Sequence, residues 1–434
     1  WSLDMSWIVS RSYNKIKIVG DNVLYNNGII SAYYLLPVVN YSVASKGVIE
    51  SNIEELTTLL SSLSNQRNGI TFTIERIDKV IKAKDVRTNL LETIRMYLPD
   101  TEMPPEFTTI VKEDVQNYCL LSVDIQQNEF TDIEAYSLGD AIKEVWSQLI
   151  DKIANVGNIT LDTDKVLEIE KNIYNIIRHK CLRATKELVF YTLASKIYPN
   201  YELSYDKLSI FNEDSFESIL GSLTNVYEDR FGYFILHNNG VDVFGLPVQD
   251  TYATILTVKE FPTVIENSNF PMNFPNCVIT CKTLQKEKAA VKLKRERSFA
   301  KYEAEDSTTS GSDIEANEDS FSSVELTTRG LREIKNGEVM GEFEVTILVT
   351  GISLEELKMN VSKIIHKLND RDIITVKSLN QATDYWESYV KCRPLNYTHF
   401  AGIRMVLSTQ MNSGANVGDT SNEIFSPSIG VSLW

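Results

Sequence analysis

Two distant segments of this chain follow one plan. SNIEELTTLLSSLSNQRNGITFTIERI runs from Ser51 to Ile77, and ISLEELKMNVSKIIHKLNDRDIITVKSL from Ile352 to Leu379. Each opens on a serine followed three residues later by glutamate, Ser51 with Glu54 and Ser353 with Glu356, the pattern of a helix capping box. Each continues with apolar residues on one helical face: Ile53, Leu56, Leu59, Leu60 and Leu63 in the first, Leu354, Leu357, Val361, Ile364, Ile365 and Leu368 in the second. Each closes on an alternating, strand-like run, and an apolar run precedes each helix. A strand–helix–strand unit occurring twice predicts an α+β fold of ferredoxin-like split β-α-β units.

The remaining pattern fits around these halves. VLYNNGIISAYYLL places Asn26-Asn27-Gly28 between apolar runs, a hairpin signal because Asn and Gly tolerate positive φ. Asn68-Gly69 stops the first helix. A helical middle insertion is expected over Leu138 to Ile153 and Asp164 to Tyr198, the latter with Val166, Ile169, Ile173, Ile176, Ile177 and Leu182 in helical register. A second Asn-Asn-Gly hairpin is expected within Phe231 to Val248, and strands over Tyr252 to Pro262, Asn276 to Leu284 and Gly341 to Gly351. The chain therefore divides into a β-rich region (1–132), a helical region (133–230), a strand region ending in a basic helix (231–302), an acidic segment (303–324) and a final β-α-β region (325–434).

The basic-to-acidic switch is abrupt. Lys286 to Lys301 holds seven basic and two acidic side chains, with Ala289, Ala290, Leu293 and Ala300 as a thin apolar stripe. Glu303 to Val324 holds seven acids, no base and eight Ser or Thr. The first reads as an exposed helix. The second has too little apolar surface to offset its ordering entropy, which predicts a disordered loop. Lys292, Lys294, Arg295 and Arg297 are the residues of this helix that could touch nucleic acid or anionic lipid. Two features weigh against nucleic acid: the formal net charge is −16, and the helix offers few aromatic rings for base stacking.

Chemistry is hard to find. A P-loop needs G-x-x-x-x-G-K-[ST], and the dipeptide Gly-Lys occurs nowhere. Cys277 and Cys281 are four apart on a strand, about 13 Å at normal rise, too far to share a disulfide or a zinc. The five cysteines are odd in number and scattered, which favours structural thiols in a reducing, cytoplasmic setting. The four histidines are dispersed; His179-x-Cys181 is expected within a helix, and His366, beside an apolar helix face, reads as structural. Glu54, Glu55, Glu355 and Glu356 begin helices, where acids complement the dipole. No catalytic residue, metal site or cofactor is expected. The chain starts at Trp1 and stops at Trp434 after a strand-like IGVSLW, so both ends read as cut.

The order LTVKEFPTVI, FPMNFPNCVITCKTLQKEKAAVKLKRE, then GEFEVTILVTGISLEELKMNVSKIIHKLNDRDIITVKSLNQATDYWESYVKC and Arg393-Pro394-Leu395 resembles the N-terminal region of the large conjugative-transfer ATPases of type IV secretion systems, the TraC/TrsE-like group. The resemblance is carried best by Tyr252 to Leu407. It implies a cytoplasmic, oligomeric motor at the inner face of the cell membrane, with an N-terminal domain that docks on inner-membrane components. The ATPase core is missing, so the resemblance transfers no catalytic residue. It implies a non-catalytic docking and assembly domain. The alternatives are a stand-alone structural or interaction protein of a plasmid or phage, and a nucleic-acid-contacting module.

Overall fold

The computed structural model describes residues 7–9, 16–26, 29–37, 45–82, 113–125, 163–197, 199, 223–229, 231–238, 250–261, 274, 276–310, 314–377, 382–393, 399–409 and 411–412. These form an α+β structure around one antiparallel sheet of fourteen described strands. The strands are β1 (Trp7–Val9), β2 (Ile16–Val19), β3 (Val23–Asn26), β4 (Ile29–Leu36), β5 (Thr71–Lys82), β6 (Glu113–Ile125), β7 (Leu182–Arg183), β8 (Leu223–Glu228), β9 (Phe234–Asn238), β10 (Thr251–Glu260), β11 (Cys277–Thr283), β12 (Met340–Gly351), β13 (Ile374–Lys377) and β14 (His399–Gly402). The main path runs β1-β8-β9-β10-β12-β11-β5-β6-β4-β3-β2, with β13 beside β10, β14 beside β12 and β7 beside β4.

The two similar segments occupy equivalent places in this sheet. The first helix, α1 (Lys46–Gln66), connects β4 to β5, and β6 lies between those strands, antiparallel to both. The helix of the second segment is numbered α6 (Leu354–Asn369). It connects β12 to β13, and β10 lies between them, again antiparallel to both. β11 joins the halves by pairing with β5 on one side and β12 on the other. The regions separated by sequence composition thus share one sheet.

Alternation along the strands sorts side chains onto two faces. One face carries Phe72, Ile74, Leu121, Val123, Ile279, Phe343, Val345 and Ile347, covered by α1, by α2 (Thr163–Ile177), by α6 and by a short helix, α8 (Ile403–Ser408). The opposite face carries Leu120, Val278, Ile255 and Leu348, packed with residues of α3 (Lys186–Ile197) and α7 (Ala382–Lys391), among them Phe190 and the fully buried Trp386. Each large apolar side chain buried this way stabilises by about 1.5–3 kcal/mol. On the first face Glu170 of α2 is a buried hub. It accepts from Arg183 Nε and Nη2 at 2.9 and 2.8 Å, from Asn22 at 3.1 Å and from the Tyr34 hydroxyl at 3.2 Å, which fastens α2 to β4.

Several expectations change. α1 begins two turns before Ser51: the Ser45 hydroxyl accepts from Val48 N–H at 3.4 Å, and Ile49 extends the buried stripe one turn upstream. Ser51 lies inside the helix and donates to Glu55. The helix ends where expected, with Asn68 at φ 58 and Gly69 donating to the Ser64 carbonyl at 2.8 Å, a Schellman turn. At α6 the box holds in part: Ser353 Oγ accepts from Glu356 N–H at 3.2 Å, while the Glu356 carboxylate reaches back to Ile352 N–H at 2.9 Å.

The stretch from Asp164 to Tyr198 is two helices. α2 stops at Ile177 because Leu182–Arg183 leaves the helix to pair with Leu35 and Tyr34 of β4; His179 and Cys181 follow the helix end. The expected helix at Leu138 to Ile153, the arm of the second Asn-Asn-Gly hairpin beyond Asn238, and Pro394 and Leu395 lie outside the described residues. Among the described residues β9 pairs with β8 and β10.

The expected acidic loop is a correction. Glu303 to Ser310 continues α4 (Lys286–Ser310), and Ile314 onward forms α5 (Ile314–Lys335). The two helices pack as a hairpin whose base is an apolar cluster of Ala289, Leu293, Ile334 and Met340. Gly330 lets them approach closely; a Cβ there would lie 3.0 Å from Leu293. Composition missed this because the base nucleates both helices, and each further residue then adds a hydrogen bond at little cost.

Candidate functional site

The α4–α5 hairpin is inserted between β11 and β12 and carries all four basic residues singled out from the sequence. Its inner stripe, Ala289, Leu293 and Ala300, is buried. Its outer stripe is not: Val291 is 49%, Phe299 72% and Tyr302 69% exposed. With Lys294, Arg295 and Ser298 these three side chains line a shallow groove of about 430 Å³. Positions 291, 295, 299 and 302 recur at helical spacing, so they share one face.

The structure separates the four basic residues. Lys294 and Arg295 are exposed and flank the groove. Lys292 turns inward: its ammonium pairs with Glu342 of β12 at 2.6 Å and sits 4.7 Å from the centre of the Phe400 ring. Arg297 is half-buried. The exposed surface of this helix therefore presents two cations and three largely apolar side chains, and its character is as much apolar as basic. Sequence reading counted few aromatic rings on this helix and missed that Phe299 and Tyr302 stand beside the cations. The signal was available, since the four-residue spacing of Val291, Arg295 and Phe299 marks a second stripe distinct from the alanine-rich one.

The buried titratable groups form a different arrangement. On the α3/α7 face, Lys196 pairs with Glu75 of β5 at 2.5 Å and donates to the Cys392 sulfur at 2.9 Å; its ammonium lies 5.4 Å from the Tyr389 ring centre. Lys196, Glu75 and Cys392 are all buried. Burial works against the Lys196 charge, but the neighbouring Cys392 and Glu75 outweigh it and hold the group above the usual lysine range. Burial, then Glu75, pushes the Cys392 thiol up to about 11. Nearby, Arg393 pairs with Asp124, which also accepts from Ser31 at 2.8 Å. Cys392 itself takes a left-handed φ of 51 at the C-terminal turn of α7, where Arg393 N–H bonds the Ser388 carbonyl at 2.8 Å. These contacts pin the ends of α3 and α7 to the sheet.

Nucleophile chemistry finds no support in the thiols. All five cysteines are free and buried, and burial pushes Cys181 and Cys277 up to about 12, so the reactive thiolate is not populated at neutral pH. The histidines stay apart. His366 is a correction: its side chain is 80% exposed, near Asp370, and supports no core. His399 is the structural one, with Nε2 2.9 Å from the Val258 carbonyl and its ring against Phe261 and Phe343; burial lowers its pKa. Among the described residues no group of three His, Cys, Asp or Glu side chains could hold a metal, and no helix is long and apolar enough to cross a membrane.

No family model matches the chain, and no curated protein matches it.

Proposed function

We propose that this chain is a non-catalytic docking and assembly module of a type IV secretion or conjugative DNA-transfer motor. Its ferredoxin-like halves form a rigid platform at the cytoplasmic face of the inner membrane. The projecting α4–α5 hairpin meets an inner-membrane component of the machine, and further copies assemble alongside. The observation that carries docking is the outer stripe of α4: Val291, Phe299 and Tyr302 stand exposed together beside Lys294 and Arg295. Contiguous apolar surface with a polar margin is what interaction sites present. The link to a transfer motor rests on the sequence resemblance, and the placement of β6 and β10 inside the two strand–helix–strand units supports the ferredoxin-like description.

The test is a photo-crosslinking amino acid placed at Phe299, at Tyr302 and, as control, at His366 of the full chain in its own cells. The expected adduct at the first two positions is an integral membrane protein encoded with the same transfer system, absent at the control. Adducts equal at all three positions would remove docking through this face. Adducts to DNA, with an affinity that falls steeply with salt, would replace it by the nucleic-acid reading. Phe299→Ser with Tyr302→Ser should weaken the membrane-protein contact at least tenfold while leaving Tm within about 2 °C, because exposed side chains contribute little to folding.

A further inference from the structure

A second concave surface lies on the seam between the two halves, at the end of β11 that leads into α4. It is a cleft of about 650 Å³, walled on one side by the turn from α1 into β5 and on the other by the passage from β11 into α4. Three cations line it, Arg67, Lys282 and Lys288, together with the side-chain amides of Gln66, Asn68 and Gln285. No acidic side chain is among its lining residues, in a chain with 59 acids and 43 bases.

The floor of the cleft is fixed before any ligand arrives. Thr283 Oγ1 is 2.7 Å from Ser64 Oγ and accepts from Ile70 N–H at 2.8 Å, which ties the end of α1 to β11. Gly69, at φ 107, approaches so closely that a Cβ would meet the Thr283 carbonyl at 3.1 Å. The Schellman turn takes up the Ser64 carbonyl. Arg67 is half-buried and donates from Nη2 to the Asp124 carbonyl at 3.4 Å, which sets its position. The first turn of α4 borders the cleft and adds positive potential.

We propose that this cleft binds a compact ligand bearing two or more phosphate groups, held by Arg67, Lys282 and Lys288. The chemistry follows from the lining. Arg67 contributes its fixed positive charge, and the exposed Lys282 and Lys288 bring ammonium groups that can meet phosphate oxygens. The volume suits a small molecule and exceeds what one phosphate fills. The lining holds no aromatic ring on which a base could stack. The phosphates are therefore the recognised part. This inference is independent of the docking reading, because cleft and groove share no residue.

Titration of the full chain with inorganic pyrophosphate at low salt, followed by calorimetry and by Tm, tests it. Saturable one-site binding is expected, weakened at least tenfold by Lys282→Glu with Lys288→Glu and unchanged by Lys294→Glu with Arg295→Glu. Both reversed lysines are exposed, so the unliganded variant should keep its Tm. ADP should bind no more than about tenfold tighter than pyrophosphate, tenfold being 1.4 kcal/mol. Absence of saturable binding, or equal loss in both variants, would overturn the site. ADP binding clearly more than tenfold tighter would overturn recognition through the phosphates, because the nucleoside would then supply the difference.

Discussion

Lys196→Met should lower the stability of the chain by about 3–5 kcal/mol, a large part of the margin of an ordinary protein. The methionine fills nearly the same volume, so packing is not the cause. The cost arises at Glu75, whose carboxylate is buried on β5 and has Lys196 as its charge partner at 2.5 Å. Removing the cation leaves a buried acid without the charge partner that offsets its desolvation. The Cys392 sulfur also loses the donor at 2.9 Å, at a left-handed position that glycine would occupy more cheaply. Lys196→Met with Glu75→Leu should recover most of the loss, since replacing both members of a buried pair is often neutral. Denaturant midpoints of the two variants decide the matter. A single variant within 1 kcal/mol of the parent would show that the pair contributes nothing, and an unrecovered double variant would shift the cause to packing.

Much of the architecture was legible because it rests on periodicity. The face of α1 was read from Ile53, Leu56, Leu59, Leu60 and Leu63, of which all but the half-buried Leu59 are buried. That of α6 was read from Leu354, Leu357, Val361, Ile364, Ile365 and Leu368; Leu357, Val361 and Leu368 are buried, and the other three pack partly buried against the same core. The turn after α1 was read from Asn68-Gly69, which needs positive φ. The Asn26↔Ile29 register of β3 and β4 matches the first hairpin signal. What sequence could not give was the order of strands. Nothing local in Cys277 to Thr283 says that it lies between β5 and β12, because its pairing with β5 joins residues such as Val278 and Glu75 from distant parts of the chain. The start of α1 was misplaced for a related reason. Ser45 and Ser51 are both plausible caps, and burial of Ile49 in the assembled core decides between them.

The same limit governs the sites. Lys292 and Lys294 are alike in sequence, yet one pairs with Glu342 and the other faces solvent, a distinction set by the sheet under α4. The exposure of Phe299 depends on α5 taking the opposite side of the helix. The phosphate cleft joins Arg67 to Lys282, far apart in the chain and brought together by the pairing of Thr71 with Lys282. Glu75 reads as one more polar position on an alternating strand, and its partner Lys196 as an ordinary helix-terminal base.

Glu344 supplies the other large expected effect, and it depends on pH. It sits in the middle of β12 opposite Thr280 of β11, 2% exposed, and neither carboxylate oxygen has a hydrogen-bond partner among the described residues. Burial pushes its pKa up to about 8, against an ordinary glutamate value of about 4.3 in the unfolded chain. The folded state therefore holds a proton that the unfolded state releases through this range. Stability is fully present below the unfolded pKa and is lost progressively as pH rises toward and through the folded one. Glu344→Gln keeps the shape and removes the titration. Relative to the parent, its stability should be similar at pH 5 and greater at pH 8.5 by about 2–4 kcal/mol, with the difference growing across the interval. Thermal or denaturant unfolding of both proteins at pH 5, 7 and 8.5 measures it. A constant offset between the curves would mean that Glu344 does not titrate in this window, and a parent that gains stability toward pH 8.5 relative to the variant would mean that its carboxylate has a cationic partner in solution.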